Sequence, residues 1–230
     1  MRKADTKRTR DEFKTAIDHV ATSIDDVAKT GVPTSTKKLV AESSFLAAVV
    51  LWDSFISELI LGLVNRDSAT FTTTAQTQVR AHAEKKFGKT MAGSLKLDLP
   101  KHIPAGRVRA LIDQKDWNVS FASASEMVSR AQEWLHPTYA THFASLSPTD
   151  RATIDACRAI RNYSAHRSGG AGTTLDAALA HAALPAALRR STNTVRDIGK
   201  YLTATPPGGG QARVATLLAD LKRLATVLQP

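Results

Sequence analysis

A chain of 230 residues, 43% hydrophobic and 23% charged, has the size and balance of a folded protein with one substantial core, or one core and a small appendage. Its single cysteine, Cys157, excludes an internal disulfide, and no Cys/His cluster stands at zinc-ligand spacing, so neither metal nor other cofactor is expected. The formal charge of +10 favours a polyanionic partner, whereas aromatics at 6% are too few for a base-stacking platform.

The first segment with a clear period runs from Asp11 to Lys29. Phe13, Ile17, Val20, Ile24 and Val27 recur at steps of four and three, one face of an amphipathic helix. "TGVPTST" ends it through Gly31 and Pro33. A second helix is expected from about Thr36 to Val64. It is apolar around most of its girth and so central, with Glu42, Asp53 and Glu58 as its polar interruptions. "FLAAVVLW", cut short by Asp53, is well under the ~18 residues of a membrane span, and the charged N-terminus leads into no apolar signal core. The expectation is a cytoplasmic protein with no membrane contact.

"SATFTTTAQT" reads as Thr-rich loop or cap material, "QVRAHAEKKF" as a short helix stopped at Gly88, and "KTMAGSLKLDLPKHIPAG" as irregular. "RVRALIDQ" and "SASEMVSRAQEWL" read as helices, the second ending before Pro137. The next start is clear: Ser147 caps, Pro148 suits the first helical position and Asp150 the positive end. That helix, about 148–167, should stop in "SGGAGTT". Helical pieces are then expected over Leu175–Arg190 and Thr194–Thr203, a flexible joint at "PPGGG" (206–210), and a last helix over 211–230. No strand pattern or repeat emerges. The chain reads as all-α: a helical domain over 1–205, the joint, and a terminal helix whose docking the sequence leaves open.

On a wheel of about 100° per residue, Arg151, Asp155, Arg158, Asn162 and His166 share one polar stripe of the 148–167 helix. Ala156, Cys157, Ile160, Tyr163 and Ser164 lie opposite, and Arg161 stands to the side, its long side chain able to reach round toward a ligand if the last turn unwinds near the glycines. Arginine-asparagine followed, after three intervening residues, by histidine is a pattern expected by chance far less than once in this composition. The looser pair Arg130 and His136 lacks the asparagine and runs into Pro137.

"IRNYSAH" resembles the signature of HEPN domains, helical bundles whose motif is arginine, usually asparagine, then histidine. "FLAAVVLWDSFISELI", with Trp52, Asp53 and Phe55, is similar to the family's long second helix, and "WNVSFASASEMVSRAQEWL" to a segment before its motif helix. The likeness spans roughly residues 36 to 170. It departs at Asp53, where members often have Glu, and at Arg167, where many have Gly.

The resemblance implies a metal-independent endoribonuclease, with two motifs facing each other across a homodimer. Arg161, Asn162 and His166 would be the catalytic residues, RNA the substrate, and a toxin–antitoxin or phage-defence setting, with an antitoxin or other defence partner, the context. The residue types suit the chemistry. Imidazole exchanges protons near neutrality, guanidinium keeps its charge and grips phosphate, and asparagine orients or donates a hydrogen bond. Arg158, Arg151 and Arg167 are candidate phosphate contacts, with a solvated helix surface as the plain alternative. Asp53 or Glu58 could bond Arg161 or His166 from the central helix, and Ser164 is a candidate supporting residue. The remaining histidines read as structural or exposed. The rival reading is a non-catalytic helical module that binds a protein or nucleic acid. No helix pair with the short turn of a DNA-reading helix-turn-helix stands out.

Overall fold

The computed structural model describes residues 3–95, 103–112, 119–190 and 195–229. Among them lie eleven helices and no strand. In chain order they are α1 Thr6–Lys29, α2 Thr34–Arg66, α3 Ala69–Phe87, α4 Lys89–Ser94, α5 Ala105–Ile112 and α6 Ala124–Trp134. Then come α7 Pro137–Ala144, α8 Pro148–His166, α9 Gly169–Ala180, α10 Ile198–Thr203 and α11 Arg213–Leu228. The protein is all-α.

The centre is α2. By length and apolarity it could cross a bilayer, but most of that stretch is packed inside the protein, against α1, α5, α8, α10 and α11. Phe45, Val49, Trp52, Phe55, Leu59, Ile60 and Leu63 are all buried, each withdrawing apolar surface worth about 1.5–3 kcal/mol. Leu39 and Val50, on its outer side, stay exposed. α1 runs antiparallel to α2: Ala4 N–H donates to Asn65 Oδ1 at one end (2.9 Å), and Lys37 Nζ reaches Ala28 O at the other (2.6 Å). Phe13 stacks on Phe55 with centroids 4.8 Å apart and meets Trp52 edge-on at 5.8 Å. The aromatic residues that carry the likeness in α2 are therefore core residues.

Several boundaries differ from expectation. The Thr-rich stretch is helical, being the first half of α3. Its hydroxyls bond back within the helix, Thr73 Oγ1 to Ala69 O (3.0 Å) and Thr77 Oγ1 to Thr73 O (2.9 Å), while Thr74 Oγ1 donates to Glu133 O of α6 (2.7 Å). Part of the "irregular" stretch forms α4; 96–102 lies outside the described residues, as do 113–118 and 191–194. α6 ends before Pro137 as expected, and Pro137 then opens the unexpected helix α7, with the His136 ring accepting from Thr138 N–H (3.4 Å), so His136 is a cap. The glycines after α8 start α9, because Ser168 Oγ accepts from Ala171 N–H (3.2 Å) and caps it. The expected 175–190 helix breaks at His181, and α10 begins only at Ile198.

At 206–210 the chain turns through Gly208, Gly209 and Gly210, all with positive φ. Beyond it, Leu217, Leu221 and Leu224 of α11 are fully buried in the common core. Arg10 Nη1 donates to Gln229 O (2.9 Å) and Arg223 Nη2 to Asp150 Oδ1 (2.6 Å), fastening α11 to α1 and to the start of α8.

Candidate functional site

The motif helix α8 begins in a full capping box. Ser147 Oγ accepts from Asp150 N–H (3.1 Å), and the Asp150 carboxylate accepts from Ser147 N–H (3.0 Å). Burial of Ile154, Ala156, Cys157, Ile160 and Tyr163 fixes its rotation, which turns the Arg151–Asn162 stripe outward. The stripe forms one wall of a groove of about 720 Å³, closed by the first turn of α6 and by the last turn of α9 with His181. Arg151, Asp155, Arg158 and Asn162 line it; Arg161 and His166 do not.

Arg161 nonetheless joins the stripe. Its Nη1 donates to Asn162 Oδ1 at 2.8 Å, and the Asn162 amide N–H groups have no acceptor among the described residues. The guanidinium folds around the helix as its length permits. His166 stands exposed on the last turn, four residues beyond Asn162 on the same stripe. The chain thus presents a fixed cation, an oriented amide and an accessible imidazole along one edge of α8, beside the groove rather than in it.

The supporting carboxylates divide. Asp53 of α2 faces Arg158, Oδ1 to Nη1 3.4 Å, with about a fifth of each side chain exposed (19% and 20%). Burial holds the Asp53 carboxyl above the usual range, a shift opposed first by Arg158 and then by Arg161, so both guanidiniums share its field. Its hydrogen bond goes to Arg158, not to Arg161 or His166. Glu58 has no part here, because it pairs with Arg109 of α5. Five residues separate Asp53 from Glu58, about 140° of helix rotation, so one carboxylate reaches α8 and the other cannot. Ser164 is half-buried on the far side of α8 from the groove.

Of the three candidate phosphate grips, Arg151 fits best. Its Nε donates to Leu146 O (3.1 Å) and Nη2 to Ala144 O (3.4 Å), both neutral partners, and it forms no ion pair among the described residues. Arg158 is partly neutralised by Asp53. Arg167 is committed elsewhere. It ends α8 in the left-handed conformation (φ 50°), pairs with Glu42 of α2, and donates through Nη1 to Arg196 O (3.1 Å). Its guanidinium lies 5.3 Å from the Tyr163 ring centre, with that of Arg196 at 5.8 Å. Arg196 in turn holds Asp176 through two hydrogen bonds (3.2 and 3.1 Å). This is a clamp on the end of the motif helix.

Sequence reasoning missed Glu42, Arg196, Ser123 and His181 as neighbours of the site. None carries a local signal, since each arrives from another helix or loop. Asp155 was visible on the stripe, but its task was not: Oδ1 accepts from Ala124 N–H (2.7 Å) at the start of α6. No protein-family model, curated protein or solved structure matches this chain.

Proposed function

We propose that the chain is a metal-independent endoribonuclease of HEPN type, acting in the cytoplasm as a homodimer in which two copies of the α8 edge face one another. The observation that carries this reading is the Arg161–Asn162 hydrogen bond with an exposed His166 one turn further on the same stripe. A side chain serving only to pack would be drawn inward; this imidazole is accessible and has a fixed cation upstream.

In such a site the RNA's own 2′-oxygen attacks the adjacent phosphorus while the bond to the 5′-oxygen breaks. One imidazole accepts the 2′-hydroxyl proton and a second donates a proton to the leaving 5′-oxygen. Arg161 stabilises the charge that builds on the phosphorane oxygens, and Asn162 adds an amide donor to them. A single subunit supplies one His166, so the acid and the base come from two copies, and a C2 arrangement provides both at once. The products are a 2′,3′-cyclic phosphate and a 5′-hydroxyl. A growth-arresting or antiviral effector, restrained by a partner protein, is the setting that suits such an activity.

A second reading, a nucleic-acid-binding module without chemistry, is favoured by one observation: the groove beside α8 excludes both Arg161 and His166. The two separate in one experiment. Purified protein is incubated with RNA in EDTA and the ends are analysed. Cyclic-phosphate ends that vanish in His166→Ala and Arg161→Ala, both still folded and dimeric, support the enzyme. The general acid–base contribution of the imidazole predicts a loss of at least about 10²-fold. RNA that is bound yet never cut makes it a binding module. Arrest of growth on expression, relieved by His166→Ala, tests the same point without choosing a substrate.

A further inference from the structure

The groove beside α8 offers more than room. Its floor is made of small apolar residues from two antiparallel helices, Ala152 and Ala159 of α8 and Ala177 and Ala178 of α9. At about 720 Å³ it has the volume of a small-molecule site. Arg151 and Asn162, both in its lining, are eleven residues apart, roughly 16 Å along the helix axis. Arg151 at one end forms no ion pair among the described residues. One turn on from Arg151 sits Asp155, whose carboxylate gives only Oδ1 to the protein; Oδ2 has no partner among the described residues. A half-buried anion in a groove of a chain of net charge +10 is unexpected for a surface that merely attracts polyanions. It is what a site needs to accept hydrogen bonds from a base.

We propose that this groove seats one nucleotide of the RNA, its phosphate on Arg151 and its base edge on Asp155, so that the carboxylate selects a base carrying an exocyclic amine over uracil. The choice follows from donor and acceptor matching. Oδ2 accepts from the amino group of cytosine, adenine or guanine, whereas the one ring donor of uracil, N3–H, is flanked on both sides by carbonyl oxygens that the carboxylate repels. Alanines on the floor admit a flat ring without prescribing its outline, which leaves discrimination to the carboxylate. The inference rests on RNA being the ligand, but not on its being cut.

The test uses uncleavable probes, fluorescein-labelled 2′-O-methyl C12 and U12, titrated by anisotropy into the full-length protein. The wild type should bind C12 about tenfold or more tightly than U12, the scale of one good base contact. Asp155→Asn keeps an oxygen for Ala124 N–H and replaces the other by an amide donor, so its preference should shrink or turn toward U12. Ala177→Trp, at an exposed position of α9, fills the groove and should weaken both probes about tenfold or more. Arg151→Ala should weaken both alike and reduce the salt slope by about one ion. Equal affinity of the wild type for C12 and U12, or affinities untouched by Ala177→Trp, overturns the proposal. Cleavage of ordinary RNA is scored separately. Base preference without cleavage keeps the groove and ends the endonuclease reading; cleavage that Asp155→Asn and Ala177→Trp leave unchanged in rate and sequence keeps the enzyme and ends the groove. Protein that neither binds nor cuts ends both.

Discussion

Asp53 of the central helix and Arg158 of the motif helix meet at 3.4 Å, and this pair couples the core of the protein to its candidate site. Arg158 lines the groove on one side and is anchored to α2 on the other. Asp53→Ala removes the oxygen that Arg158 Nη1 donates to, which a protonated or amide side chain at 53 would keep, so it should cost about 1–3 kcal/mol at neutral pH. The double variant with Arg158→Ala should lose less than the sum of the singles. Burial raises the Asp53 pKa in the folded state, so the folded protein binds a proton more readily there than the unfolded chain does. The stability from that proton is fully present below the unfolded value and is lost as pH rises through the folded one. Compared with Asp53→Asn, which cannot titrate, the wild type should therefore gain stability as the pH is lowered from 7 toward 4. Urea unfolding of both proteins across that range reads the difference directly, and a constant difference would refute it.

Arg167 carries a positive φ that side chains rarely adopt, yet it is held there by Glu42, Arg196 and Tyr163. Glycine relieves the backbone cost but forfeits the clamp, so Arg167→Gly should move stability by no more than about 1 kcal/mol in either direction. Arg167→Val, β-branched in a left-handed position, should cost about 1–3 kcal/mol. RNA affinity discriminates the two arginine roles. Arg167→Gly is expected to change it less than about twofold, Arg151→Ala about tenfold. Thermal melts and anisotropy on the same three preparations check both statements.

The ends of α8 were legible because their signals are local: a capping serine, a proline at the first position and an acid at the third. The outward turn of its polar stripe was legible too, since 3.6-residue periodicity fixes which side chains share a face. Arg161's reach round the helix was open to the sequence as a matter of side-chain length. What lay beyond reading was everything that depends on a second helix. Asp53 and Glu58 look equivalent on paper, and only the packing of α8 and α5 on different sides of α2 sorts them. The threonines of α3 hide a helix because their solitary preference is for turns, and contact with α6 overrides it. Gly169 to Gly172 do follow the end of α8 as expected, but they hide the start of α9, which Ser168 caps. His181 entered the groove from a loop with no spacing relation to α8 at all.

Cys157 tests the core behind the motif. It is buried on the inner face of α8, and burial, with Asp220 nearby, pushes its thiol far above the ordinary range. Only the thiolate is a nucleophile, so the native protein should not react with a thiol reagent such as Ellman's on the timescale of minutes. Reaction should appear with the unfolding transition in urea and share its midpoint. Labelling of the native protein well below that midpoint would show α8 opening by itself, a property incompatible with the rigid motif edge that the proposed chemistry needs.

Gly199 gives the last prediction. It opens α10 where that helix crosses α2, and a Cβ built on it would fall 2.6 Å from Lys38 O and 2.7 Å from Lys38 Cβ. Neither backbone oxygen nor Cβ is a flexible tip that can swing aside, so the two helices must part to admit even one methyl group. The same crossing is tied by Lys38 Nζ to Asp197 Oδ2 at 2.8 Å, which resists that separation. Gly199→Ala should cost about 1–3 kcal/mol, the usual penalty of overpacking, although alanine is ordinarily the better helix former. Gly93→Ala in α4, where nothing lies within 4 Å of the added carbon, is the matched control and should be neutral or slightly stabilising. Chemical unfolding of the pair decides the matter: equal midpoints would mean that α10 does not sit against α2 at this distance.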